Sequence, residues 1–352
     1  MKTAALLKQP LAFAADGYLT RRRATLALAA LTLALLAAGL LSLAIGSESI
    51  PLGNLLAALP GRLIGSASPL SPEQDAILFS LRLPRIALAI GVGAALGVAG
   101  AAFQALLRNP LADPHVLGVS GGAALGSILS ILLAGQVAAS RPLFGFAGAC
   151  ASTFIVYQIG RRKDDPAHLI LAGVVVSTFL SSIIVLLTAL ADDARLRNIT
   201  LWLLGDLSSG SIETTGIVLA AAAAGAALLV TQSRALNLMM IGEREAFSMG
   251  IEIARVRLIV YLTASLLTGA AVAAGGAIGY VGLVVPHLVR LAAGADNRLV
   301  IPASAATGAL LVLLADTFAR TALAPRELPT GAITALIGAP VLVYLLLRSR
   351  HA

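Results

Sequence analysis

A single cysteine, Cys150, stands inside an apolar run, which excludes a disulfide framework and any cysteine-built metal site. It reads as a small buried hydrophobe. Histidine is equally sparse: His115, His168, His287 and His351 lie far apart, with no i, i+4 pair on one helix face, so a metal centre has no ligand set. Serines are plentiful, but none combines a Gly-x-Ser-x-Gly turn with the His and Asp of a catalytic triad, and acyl-transfer chemistry has no support. Charge is the most telling shortage. Charged residues make up 12% of the chain, against about 25% in soluble domains, while 58% is hydrophobic and the mean hydropathy is +0.93. This composition belongs to an integral membrane protein.

The net charge of +8 raises nucleic acid as a partner, but the basic residues fall in short groups between apolar runs, the pattern of topology signals. Residues 12–16, AFAAD, look like a cleavage site. However, Lys8, Gln9 and Pro10 interrupt the apolar region before it and Arg21–Arg23 follow it, the reverse of a secretory signal. Residues 1–23 are therefore expected to be an uncleaved cytosolic tail. Residues 24–352 are expected to form one transmembrane domain.

A spanning helix needs about 20 apolar residues. That rule gives ten spans, at 24–45, 83–107, 115–134, 142–160, 168–190, 212–231, 257–275, 278–293, 299–320 and 330–347. An even number puts both termini on one side. With the N-terminus inside, 17 of the 25 Lys and Arg residues fall on the inner side, a twofold bias that supports cytosolic termini.

The spans lean on small residues. GAALG occurs at 93–97 and again at 122–126, and Gly275 and Gly279 form a further pair four apart, the spacing at which helices in lipid approach closely. The same glycines mimic nucleotide sites. Gly121 and Gly126 have phosphate-loop spacing, but Ser127 stands where the lysine belongs, and Gly91-Val-Gly93 lacks a third glycine. The chain is expected to bind no nucleotide or other cofactor.

Two outer segments are long. Residues 46–82 carry four prolines and run into LRLPR at 81–85; residues 191–211 are expected to hold a short amphipathic helix with Trp202 as an interface residue. Gly279, Gly282 and Pro286 punctuate the eighth span, and broken helices in membranes line cavities or moving seams. Asp316 and Arg320, four apart, are placed to pair on one helix face.

Between the sixth and seventh spans lies a polar island, QSRALNLMMIGEREAFSMGIEIARVR (232–257). Leu236, Met240, Phe247 and Ile251 recur at helical spacing, Gly242 interrupts the pattern, and Glu243 and Glu245 follow where carboxylates favour a helix start. The reading is two short helices bent at Gly242, lying on the membrane surface with an apolar stripe toward a partner.

Several long blocks resemble the FecCD family, the permease subunits of ABC importers for iron-siderophores, haem and cobalamin. They are LRLPR at 81–85, GAALGVAGAAFQALLRNPLADPHVLGVSGGAALG at 93–126, LAGVVVST at 171–178 and SRALNLMMIGEREAFSMGI at 233–251. Further on come GAIGYVGLVVPHLVRLAAGADNR at 276–298, LLADTFART at 313–321 and ELPTGAITALIGAPVLVYLLLR at 327–348.

The resemblance implies an all-helical permease of ten spans in a bacterial cytoplasmic membrane. It also implies a second permease chain, identical or paralogous, two cytosolic ATPases that use the ATP and Mg, and an extracytoplasmic binding protein. The chain itself would then be a transport subunit and not an enzyme. The 233–251 block matches the family's coupling helices, which implies ATPase contact by Leu236, Asn237, Met240, Gly242, Glu243, Ala246 and Gly250. Arg82, Arg85 and Arg320 match arginines that pair with glutamates of the binding protein. The expected cargo is an iron(III)-siderophore, with haem or cobalamin as alternatives. A transporter driven by an ion gradient is the rival reading, but it normally carries ionisable groups at mid-membrane, and the acids here fall almost wholly at span ends or in loops.

Overall fold

The computed structural model describes residues 21–46, 48–64, 69–115, 117–133, 140–160, 166–208 and 210–348. The tail at 1–20 and the basic group Arg161–Lys163 lie outside these. Fifteen α-helices and one π-helical segment, and no strand, occur among the described residues. Seven are long and apolar enough to cross a membrane: α1 (Arg21–Ala44), α4 (Leu83–Leu106), α6 (Ser140–Gly160), α7 (Pro166–Ala189), α9 (Ile212–Thr231), α12 (Ile253–Gly275) and α14 (Asn297–Thr321). Three shorter apolar helices, α5 (Val119–Leu133), α13 (Val281–Ala293) and α15 (Thr330–Arg348), occupy the other expected spans. All ten fall where hydropathy places them. The remaining helices are α2 (Leu52–Ile64), α3 (Pro72–Ala76), α8 (Asp193–Leu203), α10 (Ser233–Ile241) and α11 (Glu243–Ser248).

Helix α4 is the axis of the fold. It is sheathed on nearly every side, and α14, α12, α9 and α13 all pack against it. Its small residues make this burial possible. A Cβ at Gly93 would overlap the carbonyl of Gly308 on α14, and one at Gly97 the carbonyl of Ser304. A Cβ at Gly100 would strike Gly282 on α13. The second GAALG works the same way, with Gly122 and Gly126 of α5 against Gly148 and Phe144 of α6. Such close approach replaces the hydrophobic drive that lipid removes. The third expected pair does not form: Gly275 packs near Leu207 and Val92, but Gly279 faces open space.

Upstream, α3 and α4 join through the π-helical segment Ile77–Arg82 into one run of 35 residues. That run is about 52 Å long at 1.5 Å per residue and outlasts a hydrocarbon core of about 30 Å. Pro84 lacks the amide that would continue the α ladder, and the widened turn just before it absorbs the defect.

The helix break lies upstream of its expected place. Helix α12 stops at Gly275; Gly276 (φ +72°) and Tyr280 (φ +67°) take left-handed conformations, and α13 begins at Val281. The exposed backbone is met from outside: Asp206 N donates to Gly275 O at 3.0 Å, and the His115 ring nitrogen Nε2 lies 3.0 Å from Ile278 O. Gly282 and Pro286 sit within α13 and are buried, Gly282 against α4, so neither lines a cavity within one chain. Trp202 is buried too. Helix α8 forms as expected, but its indole packs with Val119, Ala123, Ala149 and Val272 instead of marking an interface.

Candidate docking sites at the two ends of helix α4

At its first end, α4 carries a cluster of arginines. The Arg85 guanidinium holds Asp316 of α14 with Nε at 3.0 and 3.1 Å and Nη2 at 3.0 Å, and its Nη1 reaches Glu327 at 2.7 Å. Thr330 Oγ1 donates to the same Asp316 at 3.0 Å. Arg320 turns toward the end of α1, donating to Ile45 O at 2.9 Å, to Ser42 Oγ at 2.8 Å and to Ser42 O. Arg82 donates to Leu43 O at 2.7 Å and to Glu48 O.

The family resemblance implied that these three meet glutamates of a binding protein. They are instead turned inward, with Arg82 and Arg320 buried and only 13% of the Arg85 side chain exposed. The cause is local. The last carbonyls of α1 have no helical donor and mark the negative end of its dipole, so guanidiniums buried beside them find acceptors and favourable charge together. The expected Asp316–Arg320 pair is the weaker contact, at 3.8 Å, because Arg85 occupies the carboxylate. No spacing rule pairs residues 85 and 316.

At the other end of α4, the polar island folds as the two short helices expected, α10 and α11, bent at Gly242. Glu243 stands in the first turn of α11 and pairs with Arg257 at 3.0 Å and Arg108 at 3.4 Å, tying the island to α12 and to the end of α4. Gly242 is extended (φ 174°), and only the mobile carboxylate of Glu245 would meet a Cβ there. Gly250 is different: φ is +82°, a conformation that favours glycine.

The apolar stripe divides. Leu236 and Ala246 are fully buried within this chain, so neither presents a surface to a partner, contrary to expectation. Met240 is half-buried, and Asn237 points into the fold. The groups left exposed are Ile241 (76%), Phe247 (73%) and Met249 (58%), beside Arg244 and Glu245. The sequence alone missed Ile241 and Met249. The signal for them was available, because each lies immediately beside one of the turn glycines, Gly242 or Gly250, where a short helix ends and its side chains splay outward.

No group of three or more His, Cys, Asp or Glu that could hold a metal occurs among the described residues. Many apolar helices around one buried central helix, with charged clusters at its two ends, make this a multi-pass membrane protein. The comparisons make that specific: residues 34–348 match the FecCD transport family, and the chain belongs to it. It is 40% identical over 281 residues to the hemin transport system permease HmuU of Yersinia pestis, covering 78% of this chain and 84% of that one. It is also 40% identical over 293 residues to the cobalamin import permease BtuC of Halobacterium salinarum, covering 82% and 79%. Among solved structures, an inward-facing conformation of a metal-chelate-type ABC transporter superposes with a TM-score of 0.79 at 32% identity, covering 91% of this chain and 98% of that one.

Proposed function

We propose that this chain is the membrane subunit of an ATP-driven importer in a bacterial cytoplasmic membrane, with both termini cytosolic. It works beside a second permease chain, two cytosolic ATPases and an extracytoplasmic binding protein. The cargo is a metal chelate. Haem and cobalamin have the stronger support, since relatives at 40% identity carry those names, and an iron(III)-siderophore is the third candidate.

The observation that carries the reading is the exposed trio Ile241, Phe247 and Met249 on an otherwise polar segment, at the end of α4 opposite the arginine cluster. A connector without a partner gains nothing from showing three large apolar side chains on a bend of two short helices, whereas an ATPase cleft would cover them. The gradient-driven alternative normally carries ionisable groups at mid-membrane, a free carboxylate above all. Asp316 is fully buried in α14, but it is already held by Arg85 and Thr330.

At the other end, binding-protein carboxylates compete with Glu327 and Asp316 for Arg85. Glu327 is the exchangeable partner, with half of its side chain exposed. The test is to reconstitute the permease with its cognate ATPase and binding protein, and to offer haemin, cobalamin and a ferric siderophore separately. ATP-dependent accumulation of one of them supports the reading. Accumulation of none, with ATP hydrolysis intact, contradicts it.

A further inference from the structure

Arg290 is a buried cation with no carboxylate within ion-pair distance among the described residues. Its guanidinium is held by three neutral acceptors from three parts of the chain. Nη2 donates to Ala101 O on α4 at 3.2 Å and to Asn297 Oδ1 at the start of α14 at 3.0 Å, and Nη1 donates to Ala295 O in the corner between α13 and α14 at 3.2 Å. Asn297 is itself fully buried and reaches on into the polar island. Its backbone N–H and its Nδ2 donate to Asn237 Oδ1 on α10, at 2.9 and 2.8 Å, and its Nδ2 also lies 3.3 Å from Met240 Sδ. Asn237 completes the circuit by donating from Nδ2 to Asp296 Oδ1 at 2.7 Å, while that same oxygen caps α14 at the Arg298 N–H.

Burying an unpaired cation and one carboxamide, with a second carboxamide half-buried beside them, is an expensive way to fill space, and apolar side chains of similar volume pack at lower cost. What directional hydrogen bonds add is registry: they fix which groups lie opposite one another and move together. Here the groups belong to α10, to the α13–α14 corner, to α13 and to α4. Helix α13 is only 13 residues long and follows the break at 276–280, where Gly276 is left-handed and Gly279 has open space beside it. Toward the break, α13 is seated on α4 by Gly282 against Gly100 and by Gln104 Nε2 to Leu283 O at 2.9 Å. A displacement of α10 therefore meets the far end of a short rigid helix whose near end abuts a hinge.

We infer that Asn237, Asn297 and Arg290 are positioning residues that carry displacement of the ATPase-facing helix α10 into α13, which pivots at the 276–280 break. The inference rests on the importer reading above and supplies its internal linkage: Ile241, Phe247 and Met249 receive the push, and the buried amide circuit passes it on.

The test uses the polarity of one hydrogen bond. Asn237→Asp sets a second carboxylate against Asp296, where a donor now stands. Adding Asp296→Asn removes the second charge and puts a donor opposite the new carboxylate at position 237, restoring the link between α10 and the start of α14; the cap on the Arg298 N–H, which the same Oδ1 now makes, is the one bond given up. The readout is cargo taken up per ATP hydrolysed by the complete complex in proteoliposomes, with haemin, cobalamin and a ferric siderophore as probes. A merely destabilised permease lowers both quantities in proportion and leaves their ratio unchanged.

The expected result is a fall in the ratio of about tenfold for Asn237→Asp, the effect of one lost hydrogen bond to a charged group. Recovery to within about twofold of the unmodified complex is expected for the double variant. An unchanged ratio in Asn237→Asp, or a low ratio that the second substitution does not restore, overturns the inference while leaving the importer reading intact. Should Asn237→Asp fail to accumulate in the membrane, Asn237→Ala is judged by the same fall in ratio, and an unchanged value there overturns the inference equally. No ATP-driven uptake of any probe by the unmodified complex overturns the importer reading, and the inference with it.

Discussion

Arg85 and Asp316, separated by 231 positions in sequence, form a bidentate ion pair at 3.0 Å that joins the start of α4 to the end of α14. The carboxylate is fully buried and the guanidinium largely so, which makes the pair costly to break on one side. Asp316→Ala should lower stability by about 3 kcal/mol, because it leaves Nε and Nη2 of a largely buried guanidinium without their acceptor and only Glu327 on Nη1. Thermal unfolding in detergent measures this. The double variant with Arg85→Ala should be less damaging than the two single losses summed, and strict additivity would show that the two side chains do not act as a pair.

The same pair sets the prediction for binding-protein docking. Glu327→Gln removes a competing charge from Arg85 without touching Asp316. Docking should tighten, most visibly at low salt, where rim charges act on the association rate. Arg85→Gln, which removes the charge that Glu327 holds, should weaken docking and flatten its dependence on ionic strength, whereas Arg82, buried against the carbonyls at the end of α1, offers no charge to a partner. Association kinetics at two salt concentrations separate these outcomes, and equal rates for both variants would count against an electrostatic dock.

On the opposite face, truncation of exposed and buried residues should have different consequences. Ile241→Ala with Phe247→Ala should release the ATPase from the purified complex while the permease itself melts normally, since both side chains are mostly exposed. Leu236→Ala should do the reverse, costing about 2–5 kcal/mol of permease stability through the cavity it leaves. Co-purification and melting, measured on the same samples, read both effects.

Two glycines in the island also part company. Gly250 has open space around it but a left-handed backbone, so Gly250→Ala should cost about 1–2 kcal/mol from conformation alone. Gly242 is extended and opposed only by a flexible carboxylate, so Gly242→Ala should be nearly neutral in stability. Unfolding midpoints of the two variants test the contrast directly.

Much of the fold was legible because membrane spans declare themselves locally. Length and hydropathy suffice for α1, α7 and α9, and GAALG marked both the α4–α14 and the α5–α6 crossings, since close approach leaves a signature in residue size. The bend at Gly242 was equally local, with a glycine followed by acids at a helix start.

What sequence could not supply was direction. Leu236 and Phe247 belong to one apolar stripe, yet one is buried and the other exposed, because the bend between them turns α11 away from α10. The inward partners of Arg82, Arg85 and Arg320 were not legible, because they are carbonyls at the end of α1 and acids far along the chain. The amide circuit from Asn237 to Arg290 was invisible for the same reason, since neither residue belongs to a spacing motif.

The central claim is that a separate nucleotide-hydrolysing subunit drives this permease. The most direct measurement is cargo accumulation in vesicles containing the permease and its binding protein, with the ATPase present or omitted, under ATP and then under an imposed proton or sodium gradient. Accumulation should require both the ATPase and ATP, and a gradient alone should move nothing. Uphill uptake by the permease on a cation gradient, with no ATPase in the vesicle, would contradict the account.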